Sequence, residues 1–178
     1  MTAERRNSIR EFASRVRTNL NISIEEENID LASVVQDLGG EIRPVPDDWE
    51  YKYDKVTKYD NPQFVIWIND KSVPARQRFS IAHEIGHLLI HMGYKTNPET
   101  WNRLQSGDGF FRLPQRNLPV EIEANEFAAS FLMPEELFRK VADDTAKGNF
   151  YYTNEIATRL GVSEDAASYR GRLLGLWK

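Results

Sequence analysis

The sequence predicts an α+β fold: a small mixed sheet packed against a helix bearing two histidines and a second helix bearing glutamates, with a C-terminal helical segment. Three observations carry this expectation. Phe64-Val65-Ile66-Trp67-Ile68 is a continuous apolar run of strand length. Residues 74–93 and 119–133 have helical character and open with Pro74 and Pro119, which suit a first helical turn. The 178 residues, 40% of them hydrophobic, suffice for one core, so a single domain over 1–178 is expected.

Residues 1–40 should hold two helices. The first spans 4–17, with Arg5, Arg6, Arg10, Arg15 and Arg17 read as a solvated face. Ser23 to Glu26 reads as a capping box, and Leu31, Val34, Val35 and Leu38 follow at helical spacing until Gly39-Gly40. Residues 41–70 should hold the strands: Glu41 to Pro46, Phe64 to Ile68, and between them a polar, aromatic hairpin arm from Asp47 to Asp60 with Tyr51 and Tyr53 alternating. A free strand edge beside the histidine helix could pair with an extended peptide. The sequence leaves open which edge is free.

Residues 71–134 carry the two helices and a long connection, 92–118, containing Trp101, Phe110, Phe111 and Leu113. A loop of this length either borders the cleft or is a packed excursion. In the C-terminal segment, 135–178, Glu155 to Ser163 followed by Ala166 to Arg170 resembles a helix-turn-helix. Ala157 is small at the crossing, Gly161 makes the turn and Ser163 caps the second helix. That helix opens with Glu164-Asp165, which phosphates would repel, so the pair reads as structural or as a grip on a substrate.

The most informative segment is His83-Glu84-Ile85-Gly86-His87. Histidines four apart on a helix share one face and can reach one metal ion. Glu84 lies about a third of a turn from His83, placed to act on a metal-activated water, as in the HExxH zinc-protease signature. Phe79, Ile81, Ala82, Ile85, Leu88 and Leu89 make the helix apolar nearly all round, hence buried. Buried histidines and a buried glutamate without a metal would carry a large polar cost.

Catalytic zinc takes three protein ligands and keeps a position open. The chain has no cysteine, and all three histidines fall within 83–91, so a carboxylate is the expected third ligand. Two compete on the helix opened by Pro119. Glu121 shares a face with Ala124, Asn125 and Ala128, and those small residues would allow close approach to Gly86; Glu123 shares a face with Phe127 and Phe131. Glu121 is therefore the candidate, with Asn125 placed to hold a histidine's second ring nitrogen. His91 follows His83 by eight residues, roughly 80° off the ligand face on a continuing helix, and reads as a helix-end histidine. Tyr94, Tyr151 and Tyr152 could assist a transition state but read as packing aromatics.

The stretch Pro74 to His91, followed by Glu121-Ile-Glu-Ala-Asn-Glu-Phe-Ala-Ala-Ser-Phe-Leu-Met-Pro134, resembles the ImmA/IrrE family of metallopeptidases. The resemblance implies His83, His87 and Glu121 as zinc ligands and Glu84 as catalytic base. It also implies a protein substrate, commonly a helix-turn-helix repressor or an antitoxin-type regulator of mobile-element, stress or DNA-damage genes. Manganese is an alternative to zinc, since His/Glu sites accept several metals.

Composition narrows the classes. Charge is balanced, 23 basic against 27 acidic residues, which argues against nucleic-acid binding as the main role. Absence of cysteine excludes disulfides and suits the cytoplasm. No apolar run approaches the ~18 residues of a membrane span, and no secretory apolar segment opens the chain. Three competing readings stand beside the peptidase: a non-proteolytic metal-binding module for a toxin or regulator partner, a DNA-binding regulator using residues 153–175, and a zinc-stabilised structural protein.

Overall fold

The computed structural model describes residues 1–49, 53–111, 118–148 and 150–177. The chain is α+β, and among the described residues eight α-helices surround a four-stranded mixed sheet. The order is α1 (Ala3–Asn19), α2 (Leu31–Asp37), β1 (Gly40–Pro44), β2 (Lys55–Lys58), β3 (Phe64–Ile68), α3 (Pro74–Gly86), a π-helical turn (His87–His91), α4 (Pro98–Arg103), β4 (Gly109–Phe111), α5 (Pro119–Leu132), α6 (Glu135–Thr145), α7 (Thr153–Leu160) and α8 (Glu164–Leu173).

Local chemistry accounts for most boundaries. Pro74 and Pro119 occupy the first turns of α3 and α5, where a missing N–H goes unnoticed. Ser163 Oγ accepts from Ala166 N, and Gly161 takes φ +61°, so the α7–α8 turn is built as the sequence reading expected. The start of α2 differs. Asp30, not Ser23, caps it by accepting from Ala32 N and Ser33 N, and Ser23 instead closes a local turn with Glu26. An aspartate directly before the apolar periodicity outcompetes a serine seven residues earlier.

The sheet runs β1-β3-β2-β4. β3 pairs parallel with β1 and antiparallel with β2, so the most apolar strand is central rather than an edge. Phe64, Ile66 and Ile68 turn one face of β3 into a core shared with Ile85, Leu88, Phe127 and Phe131. β2 is the hairpin partner of β3. The arm expected over 47–60 is a strand only from Lys55; Tyr53 lies outside it and Tyr51 lies outside the described residues. The 92–118 connection contains α4 and β4; Leu113 in it lies outside the described residues. Among the described residues, β4 and β1 are the sheet edges.

Of the α1 arginines, Arg5 and Arg15 are exposed as expected, but Arg6, Arg10 and Arg17 are not a solvated face. Arg17 is 2% exposed and donates to the carbonyls of Phe131 (2.8 Å), Ser23 and Glu26. Arg10 reaches the buried Glu126 at 2.7 Å, and Arg6 approaches it at 3.4 Å. The reason is tertiary: α1 packs along α5, whose acidic side chains need counter-ions where water is excluded. Among the described residues no helix is long and apolar enough to cross a membrane.

Candidate metal centre

α3 and α5 cross with Gly86 against Ala124, and this close approach brings the first turn of α5 up to the two histidines. His83 sits in the last turn of α3, His87 opens the π-helical turn, and Glu121 lies in the first turn of α5. His83 and His87 are fully buried and Glu121 is 3% exposed. His83 Nε2 lies 3.0 Å from His87 Nε2. Glu121 Oε2 is 3.3 Å from His83 Nε2, and its Oε1 is 3.4 Å from His87 Nε2. Four-coordinate zinc with bonds of about 2.0–2.1 Å holds its ligand atoms roughly 3.3 Å apart. Each of these contacts is close to that spacing, with one Glu121 oxygen facing each histidine nitrogen, and one ligand atom from each residue can be chosen with all three within 4.8 Å.

The electrostatics agree. Burial pushes the Glu121 carboxyl up, but its contacts with His83 and His87 outweigh it and hold the group at about 2. A carboxylate and two imidazoles thus crowd together inside the protein, an arrangement that a divalent cation relieves.

The outer contacts set which ring nitrogen faces the centre. His83 Nδ1 lies 2.9 Å from Asn125 Oδ1; an amide oxygen only accepts, so Nδ1 carries the proton and Nε2 keeps its lone pair. His91 departs from the sequence expectation. It is not merely a helix-end residue: its Nδ1 lies 3.0 Å from His87 Nδ1, and its Nε2 3.4 Å from Glu123 Oε2. Burial, with His87 adding to it against the pull of Glu123, holds His91 down at about 4, hence neutral. The wider π turn replaces the α-helical continuation on which the 80° offset was reckoned. The signal was present, since His91 repeats after His87 the spacing of His87 after His83.

The two glutamates separate. Glu121 lies with the histidines. Glu123 takes two hydrogen bonds from Arg5, at 2.9 and 2.5 Å, which hold its carboxyl below the usual range. Glu84, beside His83, is fully buried. Phe110 of β4 stacks on His87 with centroids 5.0 Å apart and planes 16° from parallel, a neighbour that the sequence reading left unassigned. Tyr94 is turned away from the centre, its hydroxyl held between Leu38 O and Gln63 Oε1. Tyr151 packs on Trp177, and Tyr152 lies under Lys147.

The family model for the IrrE N-terminal-like domain matches residues 35–171, which span both ligand-bearing helices. The chain belongs to this family. Among its relatives is the radiation response metalloprotease IrrE of Deinococcus deserti, 36% identical over 115 residues, 62% of this chain and 37% of that protein. The protein of the same name from Deinococcus radiodurans is 32% identical, over 62% of this chain and 31% of its own length. An uncharacterized immunity region protein 2 of Bacillus phage phi105 is 30% identical over 66% of this chain and 61% of its own. The chain thus spans about a third of the length of the two Deinococcus relatives. A Mycobacterium tuberculosis transcriptional regulator shares the fold, with a TM-score of 0.59 at 20% identity, covering 94% of this chain and 48% of the other.

Proposed function

We propose that this IrrE-like chain is a zinc-dependent endopeptidase that cuts a protein substrate, a DNA-binding repressor or a related regulator of mobile-element, stress or toxin–antitoxin genes. The observation that carries this reading is the buried cluster of His83, His87 and Glu121, in which the two imidazole nitrogens lie 3.0 Å apart and the two carboxylate oxygens face them at 3.3 and 3.4 Å. The metalloprotease name of the Deinococcus relatives supports the activity. Their radiation-response name and the immunity-region name of the phage relative fit a regulatory substrate.

In this reading His83, His87 and Glu121 hold the cation, with manganese as the alternative to zinc. A cation held there would supply Lewis acidity for a water and the scissile carbonyl. Asn125 and His91 keep the two imidazoles aimed inward. Glu84 accepts the proton of the attacking water and returns it to the departing amine. The buried surroundings strengthen each of these charge interactions. β4 borders the centre through Phe110, and its outer edge, unpaired among the described residues, is where an extended peptide would add as a strand. A cysteine-free chain acting on such a regulator fits a cytoplasmic setting.

The test is the metal content of the purified chain beside Glu121→Ala and Glu123→Ala. About one zinc per chain, lost with Glu121 and kept with Glu123, is the expected result. The reverse ranking would move the third ligand to Glu123. A folded chain that takes up neither zinc nor manganese would point to a partner-binding module on a peptidase scaffold.

A further inference from the structure

We propose that Arg5, Glu123 and His91 form a relay that fixes the tautomer and ring orientation of His87, so that α1 helps hold the metal centre in its binding form. The inference rests on the reading of His83, His87 and Glu121 as ligands and adds three positioning residues to it.

Counting protons along the chain of contacts gives one consistent arrangement. Arg5 has only donors, and its Nε and Nη2 both point to Glu123, at 2.9 and 2.5 Å. Glu123 is thereby held as an ionised acceptor. Its Oε2 lies 3.4 Å from His91 Nε2, a long contact in which the ring nitrogen must donate. His87, as a ligand through Nε2, carries its one proton on Nδ1, so His91 Nδ1 is the acceptor between them. It faces His87 Nδ1 at 3.0 Å, so His87 donates there. His87 Nε2 is then stripped of its proton and directed at Glu121 and His83. Asn125 achieves the same for His83 in one step from α5. His87 needs three residues because its outer nitrogen meets His91 and reaches a carboxylate only through it.

Two further features serve the relay. The π-helical turn, marked by Met92 N donating to His87 O at 2.9 Å, places His91 beside its predecessor. Phe110 lies over both rings, 5.0 Å from His87 and 5.5 Å from His91, and restricts their tilt. Exposure falls inward along the series, from 45% for the Arg5 side chain through 17% for Glu123 to 8% for His91 and none for His87. Outer partners of metal-bound histidines typically change metal affinity by about 10–100-fold.

The experiment measures zinc affinity by competition with a chromophoric chelator, and the His87 tautomer by nitrogen-15 NMR of the chain before zinc is added. His91→Phe keeps an aromatic ring under Phe110 but removes the acceptor; zinc should bind about tenfold more weakly, with His87 no longer held in the Nδ1–H form. His91→Gln restores an acceptor carbonyl and should recover most of the affinity. Glu123→Leu, at the outer end of the relay, should weaken zinc several-fold and serves as the variant of record if His91→Phe does not fold. Folded variants that hold zinc within twofold of the parent, with the His87 tautomer unchanged, would overturn the relay while leaving the ligands in place. A parent chain that binds no metal would overturn the ligand assignment and the relay together.

Discussion

Gly86 meets Ala124 where α3 crosses α5: a methyl group at Gly86 would lie 3.2 Å from Ala124 Cα and 3.3 Å from its carbonyl oxygen. Both contacts are helix backbone, which cannot swing aside as a side-chain tip can. Alanine would improve helix propensity by about 1 kcal/mol, but overpacking typically costs about 1–3 kcal/mol. The shift would carry Glu121 away from the histidines. Gly86→Ala is therefore expected to lose stability slightly and metal affinity several-fold, read by thermal denaturation and chelator competition. Unchanged affinity would mean that α5 has slack at this crossing.

Glu84→Gln should separate binding from turnover. The amide is isosteric, so the fold and the metal content should match the parent. An amide cannot take a proton from water, and removing a general base typically costs about 10²–10⁴ in rate. Cleavage of a peptide library, read by mass spectrometry, should fall by that order. Equal cleavage by parent and variant would remove Glu84 from the mechanism.

The clustering of His83, His87 and Glu121 was legible because its signals are local. The i, i+4 histidines and the face shared by Glu121, Ala124, Asn125 and Ala128 are helical periodicities that need no knowledge of the partner. The C-terminal turn was legible for the same reason, with Gly161 and Ser163 acting within their own segment. What escaped depends on distant partners. Arg17 is buried because Phe131 offers a carbonyl, 114 residues on. The central place of β3 is decided by which strands flank it, and β4 is a three-residue strand hidden in a loop. His91 fell between these classes: its spacing was visible, but its role depends on a π turn and on Glu123 of another helix.

The buried carboxylate of Glu126 is expected to be the most sensitive charge outside the centre. It is 6% exposed and faces Arg10 at 2.7 Å, Arg6 at 3.4 Å and Arg170 at 3.7 Å. Arg170 is itself buried, which brings its guanidinium down to about 10. Glu126→Leu would leave clustered positive charge without its anion, and such a loss typically costs about 3–5 kcal/mol. Glu41→Ala, which removes an exposed pair with Arg43, should change stability by less than about 1 kcal/mol. Denaturant unfolding of both variants checks the contrast. Equal effects would show that water reaches the Glu126 cluster.

Metal removal should lower stability by an amount set by mass action. A ligand that binds only the folded state stabilises it by about 2.7 kcal/mol when its free concentration is one hundred times Kd. The unfolded chain is a poor competitor, since it has three histidines and no cysteine to chelate zinc. Nearly the full linkage should therefore appear, as a rise in Tm on the order of 5–10 °C for a chain of this size. Tm should climb with the logarithm of free zinc, fall back on chelation, and stay flat in Glu121→Ala. Glu123→Leu should keep the slope while shifting the curve to higher zinc, because that variant weakens the centre without removing a ligand. A parent chain whose Tm ignores zinc would contradict a site shared by α3 and α5, since an ion bridging two helices must resist their separation.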